Sequence, residues 1–212
     1  MNDYSFIFVS DVCLKEISMK NNKPKYKLII EAAVDVIAEN GYHASQVSKI
    51  AKKAGVADGT IYLYFKNKED ILVSVFEEKM GQFIEQIAAA TSQKETASEK
   101  LLTLISMHFG QLAANHHLAI VTQLELRQSN LSLRQQINRI LKPYLGVIDG
   151  IIKEGIDENL FRSDINIPLI RQMIFGTLDE TVTNWVMNEE KYDLVGLAPA
   201  VHDLITKGIK AS

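Results

Sequence analysis

Side chains able to do chemistry crowd into one stretch, SQVSKIAKKAGVADGTIYLYFKNKEDIL, which runs from Ser45 to Leu72. Two short helical patterns meet there at Ala54-Gly55-Val56-Ala57. That is the Gly-containing tight turn expected between the helices of a helix-turn-helix. Val47, Ile50, Ala51, Val56, Ile61 and Phe65 are spaced to pack on one another. The other face carries Gln46, Ser48, Lys49, Gly59, Thr60, Tyr62 and Tyr64. Amide, hydroxyl and ammonium groups on one surface suit phosphate oxygens and base edges. Ser45 is placed to cap the first helix of the pair and Asp58 the second. Lys68 opens the following helix, where its charge and the free backbone N–H groups suit one phosphate. Two amphipathic helices joined through Gly also occur in proteins that never touch DNA. In such a protein Tyr62 and Tyr64 are packing aromatics and the lysines a solvated face.

A second set of reactive residues is scattered: His108, His116 and His117, with Glu125, Asp179 and Glu180. No HExxH or ExxH spacing joins them, and no Ser or Cys sits in a nucleophile-elbow sequence. A hydrolase or metal enzyme is therefore the weaker reading; no catalytic residue, metal or cofactor is expected. His116-His117 is expected in a solvated turn between helices. Asp179-Glu180 interrupts an apolar helix, as members of a buried network or as ligands of a cation at a pocket.

The elements that must position these residues read as helices throughout. Pro24 suits a first turn, Ile29 to Ala38 recur at helical spacing, and Asn40-Gly41 supplies a stop. A helix from Ser45 to Gly55 and a short one from Asp58 to Tyr64 follow. Asn67 with Asp70 resembles a capping box opening a long helix to about Ala90. Thr96-Ala97-Ser98-Glu99 fits the same rule and starts a helix to about Ala114. Then come Leu118–Leu126, a long helix from Asn130 to about Asp157 with Pro143 a possible kink, Pro168 to about Asn188, and Leu194–Ile209. No alternating strand-like run competes. The expected class is all-α, with about nine helices.

The chain has 212 residues, 47% of them hydrophobic, enough to bury a core in one unit or two small ones. Its apolar runs stop short of the roughly 18 residues a membrane span needs, and one cysteine, Cys13, fits a reducing cytoplasm. Net charge is −3, but its distribution matters more. From Lys20 to Lys68 nine Lys face four acidic residues, whereas residues 69–212 carry 13 basic and 19 acidic groups. A basic head on an acidic body suits a polyanion bound at one end. Residues 1–22 are an extension, with Met19 a plausible alternative start; residues 23–68 form the DNA-binding domain and 69–212 the body.

Five elements in order, Ile50-Ala51, Ala54-Gly55-Val56, Gly59-Thr60-Ile61-Tyr62, Tyr64-Phe65 and Lys68-Glu69, resemble the N-terminal signature of the TetR family of one-component regulators. The resemblance implies a three-helix DNA-binding head and an all-α body for ligand binding and dimerisation. Ser45 stands where the family usually has a phosphate-touching Thr, and Asp58 where many members carry Lys or another polar residue. LAIVTQLELRQSN (Leu118–Asn130) and RQMIFGTLDETVTNWVM (Arg171–Met187) resemble the fatty-acid-degradation repressors of that family found in bacilli. What this implies is a cytoplasmic homodimer that grips double-stranded operator DNA and releases it on binding long-chain acyl-CoA.

An acyl chain needs an apolar tunnel, and the nucleotide end needs cations. Phe109, Leu112, Leu124, Tyr144, Ile148, Ile174, Phe175 and Leu178 lie on apolar faces of the body helices, as tunnel walls or simple core filling. Arg127 ends an apolar helix and is the candidate at the pocket mouth; Arg134, Arg139 and Lys142 are weaker ones. The last two helices are expected to pair two copies: Gly176, Thr177 and Thr181 allow close approach, and Trp185 is either an interface anchor or a cap on the core. Rival readings are a TetR-type regulator of an efflux or other metabolic operon responding to a different hydrophobic ligand, and a helical interaction module that binds no DNA.

Overall fold

The computed structural model describes residues 24–125 and 130–211. Among these, every regular element is helical apart from one isolated bridge between Phe161 and Lys210. In chain order they are α1 (Pro24–Asn40), α2 (Val47–Ala54), α3 (Asp58–Ile61), α4 (Lys68–Ser92), α5 (Ala97–Ala113), α6 (His116–Ile120), α7 (Leu131–Asp157), α8 (Ile167–Met187) and α9 (Ala198–Ile209). A π-helical turn, Val121–Glu125, continues α6, and a 3-10 turn, Val195–Leu197, precedes α9. The chain gathers into two compact units, one up to Glu78 and the other from Lys79. No described helix is long and apolar enough to cross a membrane.

The first unit is built on α1. Its apolar spacing buries Ile29, Ile30, Ala33, Val34 and Ile37, and α1 packs against α2, whose Ile50 and Ala51 are buried, as are Ile61 of α3, Phe65, and Ile71, Leu72 and Val75 of α4. The Tyr26 ring stacks on Phe65, centroids 5.4 Å apart. Gly41 and Gly55 adopt positive φ, 74° and 68°, which only Gly does without strain. At Gly55 the closure is a double one: Gly55 N–H donates to the Lys52 carbonyl and Val56 N–H to the Ala51 carbonyl.

Two expected caps are corrected. Ser45 does not cap α2; Gln46 holds that position with extended backbone and no side-chain bond, and α2 begins at Val47. Asp58 is the first residue of α3 rather than its cap, which is Ala57, and α3 ends at Ile61 with a turn carrying Tyr62 to Tyr64. The Asn67 cap is as expected, its side-chain oxygen accepting from Asp70 N–H at 2.8 Å. The Asp70 carboxylate reaches one residue further back than a capping box does, to Lys66 N–H at 2.8 Å.

The second unit packs α5 against α9 and α7, and α7 against α8. Thr96 and Glu99 form the full reciprocal capping box of α5. The Glu158 carboxylate adds to it by accepting from Ala97 N–H with both oxygens, at 3.1 and 3.3 Å. Its negative charge at a helix N-terminus is favourably placed. Helix α7 runs unbroken through Pro143. His116-His117 is helix rather than turn, with His116 exposed to solvent. The pair opens α6 behind the Asn115 cap, and His116 Nδ1 pairs with the Glu190 carboxylate.

Candidate functional site

In the first unit the exposed polar groups predicted to meet DNA stand out from a tight apolar base. Gln46, Ser48, Lys49, Gly59 and Tyr62 are exposed, and Thr60, Tyr64 and Lys68 half-buried. A Cβ on Gly59 would meet nothing within 4 Å, so this face of α3 is open. Ile61 and Phe65, at 0% and 2% exposure, lock the α3 turn from beneath and leave Tyr62 59% exposed.

Three members depart from the expected pattern. Ser45 is 2% exposed, and its hydroxyl is bonded to the Val36 carbonyl (3.0 Å) and the Gly41 carbonyl (2.7 Å). It fastens the α1–α2 loop to α1 and does not reach outward. The Lys68 ammonium donates to the His43 carbonyl at 2.9 Å and lies 4.6 Å above the Tyr42 ring, a cation–π contact. Lys49 Nζ donates to Asn40 Oδ1 at 2.9 Å across an exposed gap that leaves it open to solvent. Lys53 is tied down differently, 3.3 Å from Asp35 and 3.5 Å from Glu39 on α1. Not every lysine of the basic head is therefore directed at a polyanion.

The second unit contains a small cavity of about 20 Å³ lined by Met80, Phe83, His108, Leu112, Thr122, Gln123, Leu141, Tyr144, Phe175 and Asp179. Its lining combines apolar side chains with hydrogen-bonding ones. His108 is 4% exposed, and its Nδ1 lies 2.8 Å from the Tyr144 hydroxyl. Burial pushes the imidazole down to about 3, so the ring is neutral. Burial, with Asp179 nearby, pushes the Tyr144 hydroxyl well above its ordinary value, so it is neutral too. Phe83 meets the His108 ring edge-on with centroids 5.4 Å apart. In the orientation that satisfies its neighbours, the Gln123 amide nitrogen donates to the Asp179 carboxylate (2.9 Å) and to Thr183 Oγ1 (3.0 Å). Thr122 is buried beside it and donates to the Leu118 carbonyl at 2.9 Å.

Of the ligand residues expected from sequence, Leu112, Tyr144 and Phe175 line this cavity. Phe109, Ile148, Ile174 and Leu178 do not. They are at most 1% exposed and fill the core behind the wall. Leu124 is 40% exposed, because the π-helical turn rotates it away while burying Val121, Thr122 and Gln123 in succession. Arg127 lies outside the described residues. His108, Thr122 and Gln123, with Met80, Phe83 and Leu141, were missed as cavity residues, whereas Asp179 was expected in a buried network or at a pocket. The available signal was polar groups recurring on otherwise apolar helix faces. Asp179 belongs to a hydrogen-bonded network, and no cluster that would hold a metal occurs among the described residues. Trp185 is 5% exposed and donates from Nε1 to the Tyr192 carbonyl at 3.0 Å, so it caps this chain's own core.

Comparison with known proteins extends this geometry. Residues 29–75 match the family described as bacterial regulatory proteins, tetR family, and residues 76–208 match the YsiA-like protein C-terminal region. The chain is 65% identical over 191 residues to the fatty acid metabolism regulator protein of Bacillus subtilis (strain 168), covering 90% of this chain and 98% of that one. The crystal structure of the transcriptional regulator FadR from Bacillus subtilis in complex with stearoyl-CoA superposes with a TM-score of 0.85 at 66% identity, covering 87% of this chain and 99% of that one. The fatty acid degradation regulator FadR from Bacillus halodurans matches with a TM-score of 0.84 at 58% identity, covering 87% and 100%. With a helix-turn-helix at the head, a cavity in the body and both halves matched, this chain belongs to the TetR family of bacterial transcriptional regulators.

Proposed function

We propose that this chain is a DNA-binding repressor of fatty-acid degradation genes that long-chain acyl-CoA releases from its operator. The observation that carries the reading is 65% identity along nearly the whole chain to a fatty acid metabolism regulator, together with the likeness to FadR in complex with stearoyl-CoA. The chain acts by binding, without chemistry of its own, in the cytoplasm. It pairs with a second copy through α8 and α9. Exposed apolar residues on these helices, Leu169, Met173, Met187 and Leu204, support that reading. Two-fold symmetry then matches a two-fold operator, whose successive major grooves present half-sites about 34–36 Å apart.

Gln46, Ser48, Lys49, Gly59, Thr60, Tyr62 and Tyr64 meet the operator, with Lys68 at the start of α4. The acyl chain enters among Met80, Phe83, Leu112, Leu141, Tyr144 and Phe175. A cavity of about 20 Å³ is far smaller than ligand pockets, which run from roughly 300 to 1,000 Å³. Long-chain occupancy therefore parts the helices around it. One of them, α4, begins in the head and ends in the body, so its displacement moves the head. An effector that binds the displaced form about 100-fold better weakens the operator complex by up to about 2.7 kcal/mol per linked site. The test is fluorescence anisotropy on a labelled duplex selected by the protein from a random library, titrated with stearoyl- or oleoyl-CoA. Release of DNA at saturation is the expected result; unchanged anisotropy would overturn the proposal.

A further inference from the structure

The body cavity holds one polar atom without a role. His108 Nε2 is buried and has no hydrogen-bond partner, although its ring lines the cavity. Buried polar atoms are nearly always paired, so an orphan beside a cavity marks a place where a ligand atom belongs. Resting on the acyl-CoA reading above, we propose that His108 recognises the carbonyl oxygen of the effector's thioester through a hydrogen bond from Nε2–H.

The ring is set up for this from three sides. A Tyr144 hydroxyl that donates across the 2.8 Å to Nδ1 leaves the proton of the neutral imidazole on Nε2, the tautomer this proposal assigns. Phe83 and Phe109 meet the ring edge-on, at centroid distances of 5.4 and 6.0 Å, and hold its plane. Burial keeps the ring uncharged, so it suits a neutral oxygen rather than an anion. The ligand offers one matching atom. Beyond its thioester a saturated acyl chain has no hydrogen-bonding group, and it runs against Met80, Leu112, Leu141 and Phe175. The carbonyl is the point at which hydrocarbon gives way to a polar acceptor. A chain without it leaves Nε2–H unpaired, and that kind of mismatch is what lets a buried polar group discriminate between ligands.

The experiment compares stearoyl-CoA with its thioether analogue S-octadecyl-CoA, in which a methylene replaces the carbonyl, by isothermal titration calorimetry on the full chain. Wild type is expected to prefer the thioester by about tenfold, the size of one neutral hydrogen bond. His108→Phe is expected to bring that ratio close to one. His108→Gln, whose amide N–H reaches the position of Nε2, is expected to keep it. Equal binding of the two ligands by wild type, or a preference that survives in His108→Phe, overturns the inference. The wild-type comparison decides alone if the Phe variant does not fold. Wild type that binds neither ligand overturns the acyl-CoA reading itself, a result distinct from equal, tight binding of both.

Discussion

His108 on α5 and Tyr144 on α7 are joined by a 2.8 Å hydrogen bond in the interior of the body. Tyr144→Phe keeps the ring but leaves His108 with neither nitrogen bonded. We expect the variant to be about 1–3 kcal/mol less stable, as for other buried groups deprived of a partner. Urea unfolding at fixed protein concentration measures it. Stability equal to wild type would mean the bond contributes nothing net.

The same histidine gives stability a pH dependence. Its folded value lies near 3, below the ordinary 6.5, so between those limits the unfolded chain binds the extra proton. Stability from His108 is thus fully present above about pH 6.5 and declines as pH falls, by at most about 1.4 kcal/mol per pH unit. His108→Phe is expected to show a shallower decline between pH 6 and 5 than wild type. Parallel curves would show that His108 titrates normally in the folded chain.

Ser45 and Lys49 separate two roles within four residues of each other. Ser45→Ala removes bonds to the Val36 and Gly41 carbonyls and is expected to cost about 1 kcal/mol of stability. The slope of log affinity for DNA against log salt should stay unchanged. Lys49→Ala is expected to leave unfolding almost unaffected and to reduce that slope by about 1 per head. A slope reduced by Ser45→Ala instead would return that residue to the phosphate contacts.

Gly155 on α7 has the Phe161 ring where a side chain would begin: its nearest carbon is 2.1 Å from an ideal Cβ. Phe161 is itself 2% exposed, and its loop is pinned to the chain's end by Arg162 N–H donating to the Ile209 carbonyl and Ala211 N–H donating to the Leu160 carbonyl. Gly155→Ala must displace this ring, and we expect a loss of about 1–3 kcal/mol. Gly59→Ala, with open space around it, serves as the control for stability. Equal melting temperatures for the two variants would show that the ring moves freely.

Much of the architecture was legible because helical signals are local. The Thr96–Glu99 box, the Asn67 cap and the positive-φ stops at Gly41 and Gly55 depend on residues within a few positions of each other. The α3 turn was legible for a related reason, since Ile61 and Phe65 bury themselves and leave Tyr62 outside. Ser45 was misread because a serine before a helix looks like a cap wherever it points. Its partners, the Val36 and Gly41 carbonyls, are supplied by the fold of the preceding loop.

By itself the sequence determined the all-α class, the helix-turn-helix and the side of each helix that is apolar, since 3.6-residue periodicity and end signals are written into consecutive residues. Only the tertiary structure decided which buried residues face a cavity and which face one another. Phe109 and His108 are neighbours on one helix, yet the first fills the core while the second lines the cavity with an unbonded nitrogen. That difference is set by what α7 and α8 bring opposite them. The π-helical turn breaks the period that would have placed Thr122, Gln123 and Leu124, so their facing followed from packing alone.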